Sequence, residues 1–155
     1  MHPATSIAPL VGLTTNGVPL EPLLPALRAG GLDRLDIPLG GLDADAFRRR
    51  ARCDGLPRVR SAMRAAKRLG FAPLKLNAVA MPDTDYAALV RFAACEGVHL
   101  RWIRLMAIGE VRPWQAAADV SADDLRTRIV AAGISLHERP DRGRSDRADM
   151  GDRRP

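Results

Sequence analysis

Apolar and polar positions along this chain alternate between two periods. Leu10 to Thr15 is a short apolar stretch closed by Asn16-Gly17, a pair that favours a turn. Leu20, Leu23, Leu24 and Leu27 follow at i, i+3, i+4 and i+7, the stripe of an amphipathic helix, and Gly30-Gly31 stops it. Arg34 to Leu39 reads as a strand, with Leu35 and Ile37 in alternation. After a Gly40-Gly41 loop, Asp43 is placed to cap a short helix running through Arg50. Val59, Ala62, Met63, Ala66 and Leu69 form a second helical stripe, stopped by Gly70. Pro73 to Met81 has the character of a buried strand, carrying Leu74, Leu76 and Val79. Tyr86, Leu89, Val90 and Ala93 make a third stripe ending at Gly97, and Leu100 to Ile108 is a fourth strand. Ser121 with Asp124 resembles a capping box; it opens a last helix carrying Leu125 and Ile129 and stopped by Gly133.

Strand and helix therefore alternate four times. Such an order predicts an α/β fold, a parallel sheet joined by right-handed crossovers. Ligands of such sheets sit at the carboxyl ends of the strands. The candidate functional stretches are then Thr14 to Gly17, Pro38 to Gly41, Lys75 to Asn77 and Arg104 to Gly109.

Composition narrows the class. The 155 residues are 46% hydrophobic, enough for one domain with a core. No apolar run approaches the roughly 18 residues of a membrane helix, and the start lacks the basic-then-apolar pattern of a signal peptide. Two cysteines, Cys53 and Cys95, are too few for a disulfide scaffold, and a cytoplasmic setting is expected. Both are expected to pack between helices. His2, His99 and His137 are scattered without metal-ligand spacing, so no metal site is expected. Trp102 and Trp114 read as packing residues.

The net charge of +6 would suit nucleic acid, but it comes from 22 arginines and only two lysines in an alanine-rich chain. The densest run is Arg48, Arg49, Arg50 and Arg52, followed by Arg58, Arg60, Arg64, Lys67 and Arg68. The second group alternates with the apolar stripe, which predicts a solvated helix face. Six aromatic residues, none among these arginines, leave little for base stacking, so nucleic-acid binding by the Arg48 to Arg68 region is the least favoured of the alternative roles. From about Glu138 the chain is charged and nearly devoid of apolar residues, with six arginines against five acids. It cannot bury enough surface to offset its ordering entropy. The expected organisation is a domain over residues 1–135 and a disordered tail over 136–155.

Four segments at the strand ends carry a family resemblance. Leu13-Thr14-Thr15-Asn16-Gly17, Ala29 to Ile37, Lys75-Leu76-Asn77-Ala78-Val79-Ala80-Met81 and Leu100-Arg101-Trp102-Ile103-Arg104-Leu105-Met106 resemble the GTP 3′,8-cyclases. These are radical S-adenosylmethionine (SAM) enzymes of molybdenum cofactor biosynthesis. The segments stand in order from about Val11 to Gly133, which covers the middle of such an enzyme. The resemblance implies a partial (βα) barrel of about four parallel strand-helix units. It implies GTP contacts from Thr14, at the family's Thr-Thr-Asn-Gly motif, and from Lys75, in its Lys-x-Asn strand. Met106 matches a methionine that contacts SAM. A threonine hydroxyl donates and accepts at once, and a lysine ammonium is a point charge for phosphate or base oxygens. The plainer readings are a turn residue for Thr14, a solvent-facing strand cap for Lys75 and a core residue for Met106.

Departures from the family are as informative. Pro38 stands where the family has a SAM-contacting serine, Gly40-Gly41 replaces an Asp-Ser pair, and Arg104 replaces a glutamate. The loop Pro82-Asp83-Thr84 is shorter and lacks the family's Gly-x-Asn. The family uses [4Fe–4S] clusters, each held by three cysteines, and neither motif is present. The Gly-Gly-Glu-Pro strand that serves the SAM amino group is missing too. No catalytic residue is assigned, and the chain alone is expected to be inactive. GTP is a candidate ligand, and residual SAM binding is a second. Dimerisation with itself or with an intact cyclase, through an open edge near Leu10 to Thr15, is the expected alternative role.

Overall fold

A computed structural model describes residues 10–105 and 120–137. Four strands, β1 (Gly12–Thr14), β2 (Arg34–Pro38), β3 (Leu74–Val79) and β4 (His99–Ile103), form one sheet in the order β1-β2-β3-β4. Every neighbouring pair is parallel. The crossovers are helical: α1 (Leu24–Ala29) after a 3-10 turn (Glu21–Leu23), then α2 (Ala44–Ala51) and α3 (Leu56–Arg68), then α4 (Tyr86–Glu96). A last helix, α5 (Ala122–Ala131), follows β4. The α/β reading and its four strand-helix units are thus borne out. Strands in simple sequence order, all wound with one hand, put every crossover on one face, as in a barrel.

Period two within the strands divides the sheet into two faces. Leu13, Leu35 and Leu74 are in register, as are Ile37, Leu76 and Leu100. Leu35, Ile37 and Leu76 are fully buried. They join Leu24, Phe47, Val59, Met63, Ala66 and Leu89 from the helices in a single core. Burial of each large side chain contributes about 1.5–3 kcal/mol. A smaller cluster holds α5 against the sheet through Tyr86, Val120 and Ile129, with Trp102 against both clusters. Tyr86 meets Trp102 edge-on, ring centroids 5.1 Å apart.

The local signals act as expected. The Asp43 carboxylate accepts from the Ala46 N–H at 2.7 Å and starts α2. Ser121 and Asp124 complete a reciprocal capping box on α5. Gly97, at φ 61°, takes the left-handed position that ends α4, which L side chains adopt only with strain.

Three expectations need correction. Cys95 is exposed on α4 rather than packed, because the buried stripe of that helix runs through Tyr86, Leu89 and Ala93; Cys53 is partly buried against the core. Leu69 closes α3 as an exposed cap residue, beyond the turn that faces the sheet. The first strand is three residues long and leaves Leu10 and Val11 about half exposed. Trp114, His2, the end of the fourth strand beyond 105 and the tail from Glu138 lie outside the described residues.

The arginine face of α3 is solvated, with one exception. Arg58, Arg64, Lys67 and Arg68 are exposed. Arg64 pairs with Glu96 of α4 at 3.2 Å, and Lys67 reaches the same residue. Arg60 is partly buried, lies over the Phe92 ring at 5.2 Å and donates to the Leu42 carbonyl. Its stem serves packing between helices, a use of arginine that composition does not reveal. No helix among the described residues is long and apolar enough to cross a membrane.

Candidate functional site

With the helices on one face, the other face of the sheet is lined by the alternate residues of each strand. Register sets Thr14 opposite Asp36, Asp36 opposite Lys75, and Lys75 opposite His99. One row across the sheet thus reads Thr14, Asp36, Lys75, His99. The next row reads Pro38, Asn77, Arg101. Adjacent strands lie about 4.8 Å apart, so Thr14 and Lys75 are separated by roughly twice that, with Asp36 between them.

This face is polar yet partly enclosed. Asp36 and Lys75 are each only 9% exposed. Charged side chains are almost never that buried unless paired or functional. Among the described residues, Arg34 and Arg101 share this face with the carboxylate of Asp36, and Lys75 is in register with it. Arg34 Nε approaches Asp36 Oδ2 at 3.7 Å, an ion pair too long for a hydrogen bond. Arg34 Nε, Asp36 Oδ1 and Asn77 Oδ1 are buried without hydrogen-bond partners.

Thr14 ends β1 and is exposed. The turn that follows is made by its neighbours: the Thr15 hydroxyl accepts from the Gly17 N–H at 3.3 Å, and the Asn16 side chain from the Val18 N–H at 3.1 Å. Lys75 is placed differently from expectation. It is the second residue of β3, near its amino end, and it is buried rather than a solvent-facing cap. β2 and β3 are offset, so the start of β3 lies beside the middle of β2. Thr14 and Lys75 therefore share one row, two strands apart, although they occupy opposite ends of their strands. Met106 lies outside the described residues.

Asp36, Arg34 and Arg101 were not among the sequence candidates. A period-two signal was available for them. In Arg34 to Pro38 the polar residues alternate with Leu35 and Ile37, and the same parity marks Lys75 and Asn77. Asp36 falls two residues before the strand end, where an end-of-strand rule does not look.

The donor set does not fit an iron-sulfur cluster. Cys53 lies in the α2–α3 connection and Cys95 on α4, both in the helical layer, and two thiolates are fewer than the three a SAM-binding cluster needs. Among the described residues, no group of three or more His, Cys, Asp or Glu is arranged to hold a metal ion. Pro38, exposed at the end of β2, offers neither a hydroxyl nor an N–H to SAM.

No family model matches the chain. Several curated relatives do. A GTP 3′,8-cyclase of Rhodococcus opacus is 40% identical over 117 residues, 74% of this chain and 33% of that protein. GTP 3′,8-cyclase 2 of Mycobacterium tuberculosis is 38% identical over 136 residues, 86% of this chain and 37% of that protein. A GTP 3′,8-cyclase of Corynebacterium glutamicum is 34% identical over 122 residues, 77% of this chain and 32% of that protein. The chain spans about a third of the length of the curated relatives it matches. Among solved structures, coproporphyrinogen III oxidase (HemN) of Escherichia coli, described as a radical SAM enzyme, matches with a TM-score of 0.52. That match has 16% identity and covers 79% of this chain and 30% of the other, a likeness of fold alone. At 34–40% identity, this chain is the counterpart of about a third of the length of curated GTP 3′,8-cyclases.

Proposed function

We propose that this chain binds GTP on the polar face of its sheet and does not itself carry out radical chemistry. The observation that carries this reading is the row Thr14, Asp36, Lys75, in which the two family-matched residues share one face with Asp36 between them. Lys75 would hold a phosphate oxygen, with Arg101 on the same face adding positive charge. Thr14, exposed at the rim, would add a hydroxyl that both donates and accepts. Its relatives are named for GTP, and that likeness supports the choice of nucleotide. By the same likeness, the setting is molybdenum cofactor biosynthesis in the cytoplasm. A [4Fe–4S] cluster would supply the electron that cleaves SAM, and the cysteines of this chain do not form such a site. SAM would find a poorer set of contacts, because Pro38 stands at the place of a hydroxyl.

Equilibrium titration with GTP tests this reading. Replacing Lys75 by alanine should weaken binding by about tenfold or more, as expected for a lost charge-assisted hydrogen bond. Absence of binding at millimolar GTP, or equal affinity of the two proteins, would overturn it.

One observation favours a second role. β1 is an edge of the sheet among the described residues, and Leu10 and Val11 beside it are 49% and 51% exposed. An open apolar edge pairs readily with another strand. A second copy or a longer cyclase would be captured there, and Val11→Lys should abolish that association in sedimentation experiments.

A further inference from the structure

We propose that two copies of this chain close into one eight-stranded barrel, β4 of each copy pairing in parallel with β1 of the other. This rests on the open-edge reading above and names its occupant and geometry. Four parallel strands in chain order, with every helical crossover on one face, make half of an eight-stranded barrel. Among the described residues this half has two open edges, β1 and β4. A two-fold axis along the barrel keeps all the strands parallel and makes the two junctions identical, so the assembly closes and stops at two copies.

The edges match in backbone direction. The Val11 carbonyl and the Thr15 N–H bond to β2, so the backbone groups of Gly12 and Thr14 turn outward. The Ile103 carbonyl accepts from the Ala80 N–H, so those of Leu100 and Trp102 turn outward on the other edge. Register follows from closure. In such a barrel a path perpendicular to the strands returns to its first strand displaced by about eight residues, and therefore by about four over each identical half. The path here runs Thr14, Asp36, Lys75, His99. A displacement toward later residues would pass the Asn16-Gly17 turn, so the path meets the partner's Leu10. The partner's Val11 then lies beside Leu100, and the partner's Leu13 beside Trp102, apolar against apolar on the helical face. Leu13, Leu100 and Trp102 are only partly buried in the single copy, and Val11 is exposed.

Other exposed apolar side chains fall at the same two ends. Leu23 follows β1, while Val130 and Leu136 belong to α5 and the segment after it, and α5 packs beside β4 through Trp102. Among the described residues only Leu69 is exposed elsewhere. β1 is three residues long, and one edge pair of that length buries less than the roughly 1,200–2,000 Å² of a stable interface. Closure supplies two junctions and their flanking helices in one step.

Sedimentation equilibrium and cysteine cross-linking of the full chain test this, with Cys53→Ala and Cys95→Ser as the background and circular dichroism as the check on folding. Facing residues of neighbouring strands lie about 4.8 Å apart, within disulfide reach. The chain should sediment as a dimer, and Val11→Lys should make it a monomer. A Val11→Cys chain mixed with a Leu100→Cys chain should yield the mixed disulfide, and neither should link to its own copy. A monomeric unaltered chain overturns both closure and the open-edge reading. A Val11→Cys chain that links to its own copy shows β1 pairing with β1, and masses that grow beyond a dimer show a junction that does not close. Either result overturns closure and leaves the open-edge reading standing. A dimer that survives Val11→Lys and yields no mixed disulfide overturns both. None of these measurements involves nucleotide, so GTP binding is judged separately.

Discussion

Arg34 and Asp36 stand on the same face of β2 and meet at 3.7 Å, close enough to attract but too far to share a hydrogen bond. The arginine side chain is 42% exposed and its partner only 12%, so the pair compensates little of the cost of burying the carboxylate. A carboxylate held this way is poorly explained as a stabilising device. Without ligand, Asp36→Asn should leave stability unchanged or raise it by up to about 1 kcal/mol, because a neutral amide is cheaper to bury. Urea denaturation measures this. A loss of more than about 1 kcal/mol would show that the charge anchors the fold.

The apolar face should behave in the opposite way. Leu76 is fully buried in the centre of the core, with Leu35, Ile37 and Leu100 around it. Leu76→Ala should cost about 2–5 kcal/mol, a large share of the 5–15 kcal/mol typical of a domain. The urea midpoint should fall accordingly, with an unchanged slope.

A close approach at Gly55 predicts a coupled pair. A Cβ placed there would lie 2.6 Å from Val18 Cγ2, inside any real contact distance. The glycine backbone, at φ −165°, is extended and would accept alanine, so the obstacle is space alone. Gly55→Ala should destabilise by about 1–3 kcal/mol through overpacking. Val18→Ala in the same chain should recover much of that loss, and a double-mutant cycle measures the coupling.

At the amino end of α5, Ser121 accepts from the Asp124 N–H at 3.1 Å, and the Asp124 carboxylate returns to the Ser121 N–H at 3.2 Å. Ser121→Ala should cost about 0.5–2 kcal/mol. The loss should appear first as faster hydrogen exchange in α5, because that helix rests on the smaller of the two apolar clusters.

The order of elements was written in local chemistry. Period two at Leu35 and Ile37, helical stripes from Val59 to Ala66, the Asp43 cap and the Ser121–Asp124 box each act within a few residues, and each did so as expected. Such signals depend on nearest neighbours along the chain, so sequence alone determines them. The family motifs likewise singled out Thr14 and Lys75. What only the tertiary structure decided is which residues of separate strands share a row. Register between β1, β2 and β3 is set by packing of Leu13, Leu35 and Leu74 against helices distant in sequence, and a shift of one residue would send every side chain to the other face. That register placed Asp36 between Thr14 and Lys75 and set Asn77 diagonally beside Asp36 on the polar face of the sheet.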